Sequence, residues 1–471
     1  MLKSFITLFY IFSVACYAAS LDLTEELLSK SNPFLGKETR IGIMGGGAAG
    51  LSAAYYLQQN GYTNVTVLEK EERIGGKCHT VSIDGSPCDL GARFVTSCDL
   101  HVRELAKTLG HKFSDSPDAY HMSSPNKKVS DLSNYSFFQK GMNLARGAKL
   151  YSSLAFPSVG FSGVQEQNIL SGTIDQFIKT QNLPLLADCI KIASEAYGYG
   201  PMAKQATPYA LKLVLPELQS RLSSLSALFK RAQIDTLEEG YQGLLETMAS
   251  SLCVKTGHAV TKILYEEKED IQKEILVTTY DSLAKTDQTF HFDKLIVAVP
   301  PDHLQGLTEL DSEEKDLFAR IRYNDYHVTI FEPAKAIGHK TYINDINDKE
   351  PTVISQMNSK KSLCTSYRYG SLDSYALGKK PFSLSMDSIH SGLESALGKY
   401  FGTKTQAIKA HKQWDYFPHV TDKDIQEGFF ERMEELQGKK NTYYVGSTLA
   451  FEWVDAVLGY SKKLVNTHFP K

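Results

Sequence analysis

The stretch RIGIMGGGAAGLSAAYYL, residues 40–57, places a run of glycines between a short apolar segment and an apparent helix. Gly45, Gly47 and Gly50 have the spacing GxGxxG, which allows a tight turn, a close approach of the backbone to a pyrophosphate and close packing of the helix. The N-terminus of that helix then faces the phosphates. By itself the spacing is equally compatible with a structural turn, so the surrounding residues decide its meaning.

Two features downstream favour a nucleotide site. The second apolar run, NVTVLEK, completes a strand–helix–strand unit. Glu69 lies at its end, nineteen residues after Gly50, where its carboxylate can accept hydrogen bonds from an adenosine ribose. The segment ERIGGKCHT then contains a second glycine pair, Gly75 and Gly76, and a cation, Lys77, which can neutralise a phosphate or lie near a flavin ring. The alternative is that Glu69 is a surface residue in a charged run.

The order of the elements predicts an α/β fold, with a doubly wound, Rossmann-like nucleotide-binding domain and a discontinuous α+β substrate domain. The apolar run Leu295–Val299 predicts a buried parallel strand. Near the end, the pattern predicts a short strand, a turn at Gly446 and a helix from about Phe451, so the chain returns to its first domain. The predicted ranges are 38–99, 235–306 and 411–471 for the nucleotide-binding domain, and 100–234 and 307–410 for the substrate domain.

Composition limits the partners and the compartment. The 471 residues carry a formal net charge of −3 and no long basic run, which argues against a nucleic-acid partner. Residues 1–20 combine an early lysine, an apolar core and small residues at Ala18 and Ser20, which predicts a signal peptide and a periplasmic or secreted protein. A membrane anchor in this segment is the alternative. None of the later cysteines has CxxC spacing, so we expect no metal site.

The motifs together resemble the flavin amine oxidase and desaturase superfamily, whose members open with this loop, glutamate and glycine pair. The resemblance implies FAD as the cofactor. It also implies that the main chain at Val260, in GHAVTKI, lies against the adenine. In the closing motif, the superfamily has Gly-Glu or Gly-Asp before a helix that points at the flavin phosphates, whereas this chain has Gly446 and Ser447.

Longer stretches narrow the resemblance to the bacterial polyenoic fatty acid isomerases, a branch of the same superfamily. These stretches are IGGKCHT, EAYGYGPMAKQATPYALKLV, WDYFPHVTDKDIQEGFFERMEELQGKKNTYYVG and FEWVDAVLGYSKKLV. The resemblance implies a shift of a double bond along a cis-polyene: the oxidised flavin abstracts a hydride from a doubly allylic carbon, and the hydride returns at another carbon. Such chemistry requires no side-chain acid or base.

The candidate site residues follow from the motifs and from the resemblance. The residues predicted to bind the cofactor are Gly45, Gly47, Ala49, Gly50, Glu69, Lys70, Gly75, Gly76, Lys77, Ala92, Arg93, Val260, Gly446 and Ser447. The residues predicted to contact an acyl chain are Tyr197, Tyr199 and Phe229, with ordinary packing as the alternative. His79 and His419 are interpreted as hydrogen-bonded structural histidines, with titration near neutral pH as the alternative.

Arg93 and the two tyrosines, Tyr197 and Tyr199, are the candidates for a catalytic role beside the flavin. Arg93 follows Ala92 in CDLGARF, where the isomerase pattern has an apolar residue. Its guanidinium can clamp a substrate carboxylate or stabilise a reduced, anionic flavin.

The leading hypothesis is an exported FAD-dependent oxidoreductase or isomerase that transfers hydride to and from the flavin. Its expected substrate is a long, apolar, polyunsaturated fatty acid, and peripheral contact with a membrane is compatible with such a substrate. Arg93 and the superfamily motifs keep open an amine or amino-acid oxidase that produces hydrogen peroxide. Ser447 keeps open a non-catalytic, lipid-binding relative.

Overall fold

The computed structural model describes residues 36–116, 119–128, 135–222, 234–267, 273–338, 340–346, 349–358, 361–370 and 384–471. The predicted signal peptide and Phe229 lie outside these ranges. Within them, no helix has both the length and the apolar character needed to span a membrane.

The strands and helices are numbered here in chain order. The strands are β1 (Ile41–Met44), β2 (Val65–Leu68), β3 (Thr80–Ile83), β4 (Ser86–Asp89), β5 (Phe94–Thr96), β6 (Phe113–Asp115), β7 (Ala119–His121), β8 (Ser124–Lys128), β9 (Ile234–Leu237), β10 (Cys253–Lys255), β11 (His258–Glu267), β12 (Lys273–Asp281), β13 (Thr286–Phe292), β14 (Lys294–Val297), β15 (Arg322–Pro333), β16 (Thr341–Ile343), β17 (Val353–Asn358), β18 (Lys361–Tyr369), β19 (Thr405–His419) and β20 (Thr442–Tyr444). The helices are α1 (Ala48–Gln59), α2 (Leu100–Thr108), α3 (Phe137–Ser153), α4 (Ile174–Gln181), α5 (Pro184–Glu195), α6 (Thr207–Leu222), α7 (Gly240–Ala249), α8 (Ser312–Ala319), α9 (Met386–Ala396), α10 (Asp422–Gln426), α11 (Phe429–Glu435), α12 (Ser447–Ala450) and α13 (Val454–His468).

The first layer is a five-stranded sheet of order β10-β2-β1-β14-β20, in which every neighbouring pair is parallel. The central strands of this sheet have apolar sequences because both faces of the sheet are covered. The fully buried residues include Ile41, Ile43, Leu295 and Ile296. Helix α1 connects β1 to β2, and β14 is the strand expected from the run at 295–299. The predicted α/β fold with a doubly wound parallel sheet is therefore confirmed.

The second layer is a seven-stranded mixed sheet of order β19-β15-β18-β17-β16-β7-β8. Its long strands β15, β18 and β19 pair antiparallel. Side chains alternate between the two faces of such a strand. Along β15, Tyr326 and Val328 line a cavity that faces the first sheet, whereas His327 belongs to the other face. Three smaller sheets complete the fold: β3-β4, β5-β9-β6 and β11-β12-β13.

Two details differ from the sequence-based expectation. The closing helix, expected from about Phe451, begins at Val454, because Phe451 has a φ of 103° and separates α12 from α13. Strand β19 belongs as a whole to the seven-stranded sheet. The boundary predicted between residues 410 and 411 therefore falls inside a strand.

Hydrogen bonds to Asp455 connect helix α2 to the C-terminal helix α13. Val102 N donates to Asp455 Oδ1 at 3.0 Å, and His101 Nδ1 lies 3.1 Å from the other oxygen of Asp455. Asp99 immediately precedes α2 and is fully buried. Burial, together with the charge of Asp455, raises the pKa of the Asp99 carboxyl to about 7.

Asp99→Asn is expected to stabilise the protein at neutral pH. The pKa of the Asp99 carboxyl is near its ordinary value of 3.8 in the unfolded chain but about 7 in the folded protein. Between these values the folded state binds more protons, so the contribution of Asp99 to the free energy of unfolding falls as pH rises. Asparagine does not ionise, so its advantage should grow from about pH 4 to about pH 7, reaching on the order of a few kcal/mol.

Urea unfolding at several pH values measures this difference. Asp387→Asn, in the exposed first turn of α9, is the matched control, since it removes a carboxylate without removing a buried one. An advantage of Asp99→Asn that is constant over this range would contradict the explanation by a buried acid.

Candidate functional site

A cavity of about 1950 Å³ lies between the two main sheets. Its walls include Gly45, Glu69, Ala298 and Val445, which directly follow the carboxyl ends of β1, β2, β14 and β20. Ligands of doubly wound proteins bind at this edge of the sheet. The cavity brings together every residue predicted to bind the cofactor except Gly50 and Val260, and it also contains Tyr197 and Tyr199.

The loop after β1 has room for backbone only. Gly45 has a φ of 110°, a conformation that disfavours a side chain. A Cβ atom on Gly50 would overlap the carbonyl oxygen of Gly45, so α1 can approach the loop only with glycine at this position. No side chain caps α1 at Gly47. Because Gly47, Ala48 and Ala49 line the cavity, the first N–H groups of α1 are available to an anion there.

The second glycine pair lies directly against the first loop. Gly75 N donates to Gly46 O at 2.8 Å, and a Cβ atom on Gly76 would lie 3.2 Å from Cα of Gly47. Gly75 and Gly76 have φ values of 104° and 55°. The two backbone segments thus form a cradle with no side chain between them, which is the environment that a pyrophosphate requires.

Glu69 is buried where β2 ends and also borders the cavity. One carboxylate oxygen accepts a hydrogen bond from Gly46 N at 2.7 Å, and the other accepts one from Glu71 N at 2.8 Å. Each oxygen keeps a lone pair, so a ribose hydroxyl can still donate to it. The exposed Lys70 lines the cavity beside Glu69.

Lys77 has a partner that the sequence analysis missed. Its Nζ lies 2.5 Å from Oε2 of Glu452, and the same oxygen accepts a hydrogen bond from Phe417 N at 3.1 Å. Lys77 and Glu452 are 375 residues apart, so no local pattern indicates the pair. Glu452 compensates the lysine charge, and contact of Lys77 with a phosphate or a flavin ring stays a prediction.

The closing turn contains another residue that the sequence analysis missed. Gly446 has a φ of 123° and lines the cavity with Ser447 and Thr448. The hydroxyl of Thr448 is buried and has no hydrogen-bond partner among the described residues. Such a group is costly to bury unless a bound molecule satisfies it. Thr448 therefore offers a polar contact beside Ser447, the position at which the superfamily pattern has an acidic side chain.

The turn of Ala92 and Arg93 packs on the second glycine loop. A Cβ atom on Gly91 would overlap the carbonyl oxygen of Lys77, and Ala92 N donates to that oxygen at 3.1 Å. Arg93 is buried, lines the cavity and lies with its Cζ 5.2 Å from the centroid of the Phe94 ring. Its Nη1 has no hydrogen-bond partner among the described residues.

The second sheet holds the segment EAYGYG by its main chain. Tyr326 Oη donates to Ala196 O at 2.7 Å, Asn324 Nδ2 donates to Gly198 O at 2.7 Å, and Gly200 N donates to Tyr369 Oη at 2.9 Å. These contacts fix the segment that carries the two candidate tyrosines.

The two tyrosine rings extend from this segment into an aromatic wall. The Tyr197 ring packs edge-on against Phe94 and Tyr367, with centroids 5.4 and 6.4 Å away. Tyr199 stacks on Phe451 at 5.0 Å, and its hydroxyl donates to the backbone carbonyl of Glu452 at 2.8 Å. Both residues line the cavity, and their contact with a substrate stays a prediction.

Val260 lies near the site but outside the cavity wall. Strand β11 begins beside Glu69, because His258 N donates to Glu69 O at 2.8 Å. Val260, two residues further along, packs half-buried against the core. Its predicted contact with adenine stays a prediction. The site of Phe229 lies outside the described residues.

The environments of His79 and His419 are those of structural histidines. Burial lowers the pKa of His79 and of His419 to about 4, so both are neutral at physiological pH. His419 Nδ1 donates to the carbonyl oxygen of Phe417 at 2.7 Å. Among the described residues, no group of three or more His, Cys, Asp or Glu side chains is arranged to hold a metal ion.

The parallel sheet, the two glycine loops and the glutamate after β2 define a dinucleotide-binding protein of the doubly wound class. The sequence profile described as flavin containing amine oxidoreductase matches residues 48–330. The chain therefore belongs to this family, and the family implies a flavin cofactor.

Individual relatives agree with this assignment over most of the chain. The FAD-dependent oxidoreductase dpasF of Apiospora sacchari is 22% identical over 438 residues, which are 88% of this chain and 89% of that protein. A CLA-producing fatty acid isomerase from P. acnes has a TM-score of 0.77 and 21% identity, covering 92% of this chain and 100% of that one. Cyclohexylamine oxidase from Brevibacterium oxydans has a TM-score of 0.62 and 15% identity, covering 91% and 98%. At these identities the structures establish a shared fold.

Gly50→Ala is expected to lower flavin content. The added Cβ atom would overlap the carbonyl oxygen of Gly45, so the loop must shift away from α1. Overpacking of this kind costs about 1–3 kcal/mol. We expect a roughly 5- to 150-fold loss of cofactor affinity, since about 1.4 kcal/mol corresponds to a factor of ten. The measurements are the flavin absorbance per mole of purified protein and the melting temperature.

Gly398→Ala is the matched control, because a Cβ atom at Gly398 meets nothing within 4 Å. A Gly50→Ala protein that retains flavin as firmly as this control would show that the cradle does not hold the cofactor.

Proposed function

We propose that the protein binds FAD in the glycine cradle and acts on a long, polyunsaturated fatty acid by hydride transfer to and from the flavin. The observation that carries the proposal is the continuity of one cavity from the cradle to a largely apolar and aromatic chamber. The isomerase fold match and the longer sequence resemblances support the substrate class. Export of the protein from the cell stays a prediction.

The size and lining of the cavity support this reading. Pockets that bind drug-sized ligands measure about 300–1,000 Å³, so a cavity of about 1950 Å³ accommodates a dinucleotide together with a second molecule. The cradle lines one part of the cavity. Beyond it, the apolar residues are supplied by α5, α6 and the second sheet: Leu185, Leu186, Ile192, Leu213, Val214, Val328 and Ile343. Such a lining favours a hydrocarbon chain over a polar substrate.

A bound flavin supplies the hydride acceptor and donor. The chain itself supplies orientation and a dry environment. Burial raises the pKa of both Tyr197 and Tyr199, so their phenols stay protonated at neutral pH. The hydroxyl of Tyr199 is held by Glu452 O, and the rings present apolar faces. We infer that the two tyrosines pack against the substrate and exclude water, and that they do not take up protons.

Anaerobic incubation of the flavin-loaded protein with linoleic acid is expected to give a conjugated diene that absorbs in the ultraviolet. Anaerobic conditions separate isomerisation from oxidation, because an isomerase consumes no electron acceptor. Unchanged substrate across a panel of polyunsaturated fatty acids would contradict the proposal.

Variants sharpen this assay. Tyr197→Leu removes the aromatic ring that we propose packs against the substrate. An aromatic contact contributes about 0.5–1.5 kcal/mol, so we expect kcat/KM to fall roughly 2- to 10-fold. Tyr280→Leu replaces an exposed tyrosine and is the control. Gly50→Ala should lose activity in proportion to its loss of flavin.

A second candidate is an amine or amino-acid oxidase. Membership of the amine oxidoreductase family favours it, and so does the buried guanidinium of Arg93, which also suits an amino-acid carboxylate. This function predicts bleaching of the flavin by amines without oxygen and release of hydrogen peroxide with oxygen. A protein that purifies without flavin and gains none on reconstitution would instead favour a non-catalytic lipid-binding role.

A further inference from the structure

We propose that Arg93 and Tyr367 bind the carboxylate of the substrate inside the cavity, so that the protein accepts free carboxylic acids and discriminates against their esters. The inference rests on the proposed function for the unsaturated chain that carries the carboxylate. It adds the head group and the place where that group is held.

Arg93 is a buried cation, and one of its donors makes no hydrogen bond of regular geometry among the described residues. The residue is 5% exposed, and its Nη1 is buried without a hydrogen bond among the described residues. No carboxylate lies within ion-pair distance of it in that part of the chain. A guanidinium stays charged at every physiological pH, and contact with the Phe94 ring compensates its charge only in part. Because Arg93 also lines the cavity, an anionic ligand there would balance its charge.

The buried carboxylate that interacts electrostatically with Arg93 is bound to other groups. Asp89 influences Arg93 electrostatically, but its Oδ1 accepts hydrogen bonds from Thr80 Oγ1 at 2.6 Å and from Tyr241 N at 3.4 Å. These contacts hold Asp89 between β3 and α7. A rotation towards Arg93 would leave both donors unsatisfied.

Tyr367 supplies a second donor beside the guanidinium. Its ring is buried and lines the cavity, and its hydroxyl makes no hydrogen bond of regular geometry among the described residues. Burial raises the pKa of the Tyr367 phenol, while the charge of Arg93 opposes the rise, so the two groups lie close together. A protonated phenol and a guanidinium are both donors. Together they match the oxygen atoms of a carboxylate, which only accepts.

Two other cations of the cavity are already satisfied. Lys77 is paired with Glu452. Arg73 donates to the carbonyl oxygens of Ile74 and Gly76 at 3.2 and 3.0 Å. A carboxylate that enters the chamber therefore gains more from Arg93 than from either of these residues.

The neighbouring rings explain why the anion would carry a hydrocarbon chain. Tyr197 packs against both Phe94 and Tyr367, so an aromatic surface borders the two donors. Further apolar lining comes from α5 and α6. A small inorganic anion would satisfy Arg93 but leave this surface in contact with water, whereas a fatty acid covers both.

Binding of a saturated probe separates this inference from turnover. The flavin-loaded full-length protein is titrated by calorimetry with octadecanoate and with its methyl ester, both below their aggregation limits. We expect the acid to bind the wild type about 10- to 100-fold more tightly than the ester, because a charge-assisted hydrogen bond contributes about 1.5–3 kcal/mol.

Three variants locate the interaction. Arg93→Met, which keeps the length of the side chain, should abolish the preference for the acid. Tyr367→Phe should reduce acid affinity by roughly 10-fold, because the phenol donates to an ionised carboxylate. Lys412→Met removes another cation of the cavity wall and is the control, for which we expect the wild-type preference.

The outcomes are distinguishable. Equal acid and ester affinities in the wild type, or an unchanged preference in Arg93→Met, would overturn the inference. The inference would also be overturned if Arg93→Met changed the flavin spectrum and the flavin affinity but left acid binding intact. Arg93 would then contact the cofactor and not the substrate. Acid-selective binding without turnover of any polyene supports the carboxylate site and contradicts the proposed function. Melting temperatures of all variants exclude misfolding, and Tyr367→Phe provides the test if Arg93→Met is unstable.

Discussion

The site depends on one steric constraint, the approach of backbone to backbone where β1 ends. Helix α1 packs so closely on the preceding loop that a methyl group at Gly50 would overlap Gly45 O. The second glycine loop is bonded to the first through Gly75 N and Gly46 O. The carboxylate of Glu69, which directly follows β2, accepts a hydrogen bond from Gly46 N and so fixes the same turn. Three segments therefore meet with backbone surfaces exposed to the cavity, and only a ligand rich in acceptors satisfies them.

A second junction makes the two sheets act as one site. The segment EAYGYG belongs to neither sheet, yet Tyr326, Asn324 and Tyr369 of the second sheet hold its backbone. From there, Tyr199 contacts the closing segment through its hydroxyl. The geometry of the chamber relative to the cradle thus rests on buried hydrogen bonds between residues far apart in the chain. Such bonds are directional, so the tyrosine rings have little freedom to shift.

The sequence predicted the parts of this site that are built from local patterns. Glycine spacing, a glutamate after an apolar run and the strand at 295–299 are properties of neighbouring residues, and the structure places them together at one sheet edge. Contacts between residues that are far apart in the sequence leave no such local pattern. Glu452 gives no local sign that it contacts Lys77. Thr448 and Tyr367 become candidates only because their buried hydroxyls make no hydrogen bond of regular geometry among the described residues. The missed break at Phe451 has the same origin, since tertiary packing imposes its backbone conformation.

The strained backbone at the junction explains how Glu452 is held beside Lys77. Phe417 and Phe451 both adopt positive φ, 54° and 103°, which costs a non-glycine residue about 1–3 kcal/mol. Their rings lie 5.5 Å apart, and both pack on Tyr199. Phe417 N donates to the Glu452 carboxylate, and Phe451 directly precedes it. If the backbone at either residue relaxed, its ring would leave the aromatic wall, or Phe417 N would no longer donate to Glu452. Aromatic packing therefore maintains the strain, and the strain positions the carboxylate that neutralises Lys77.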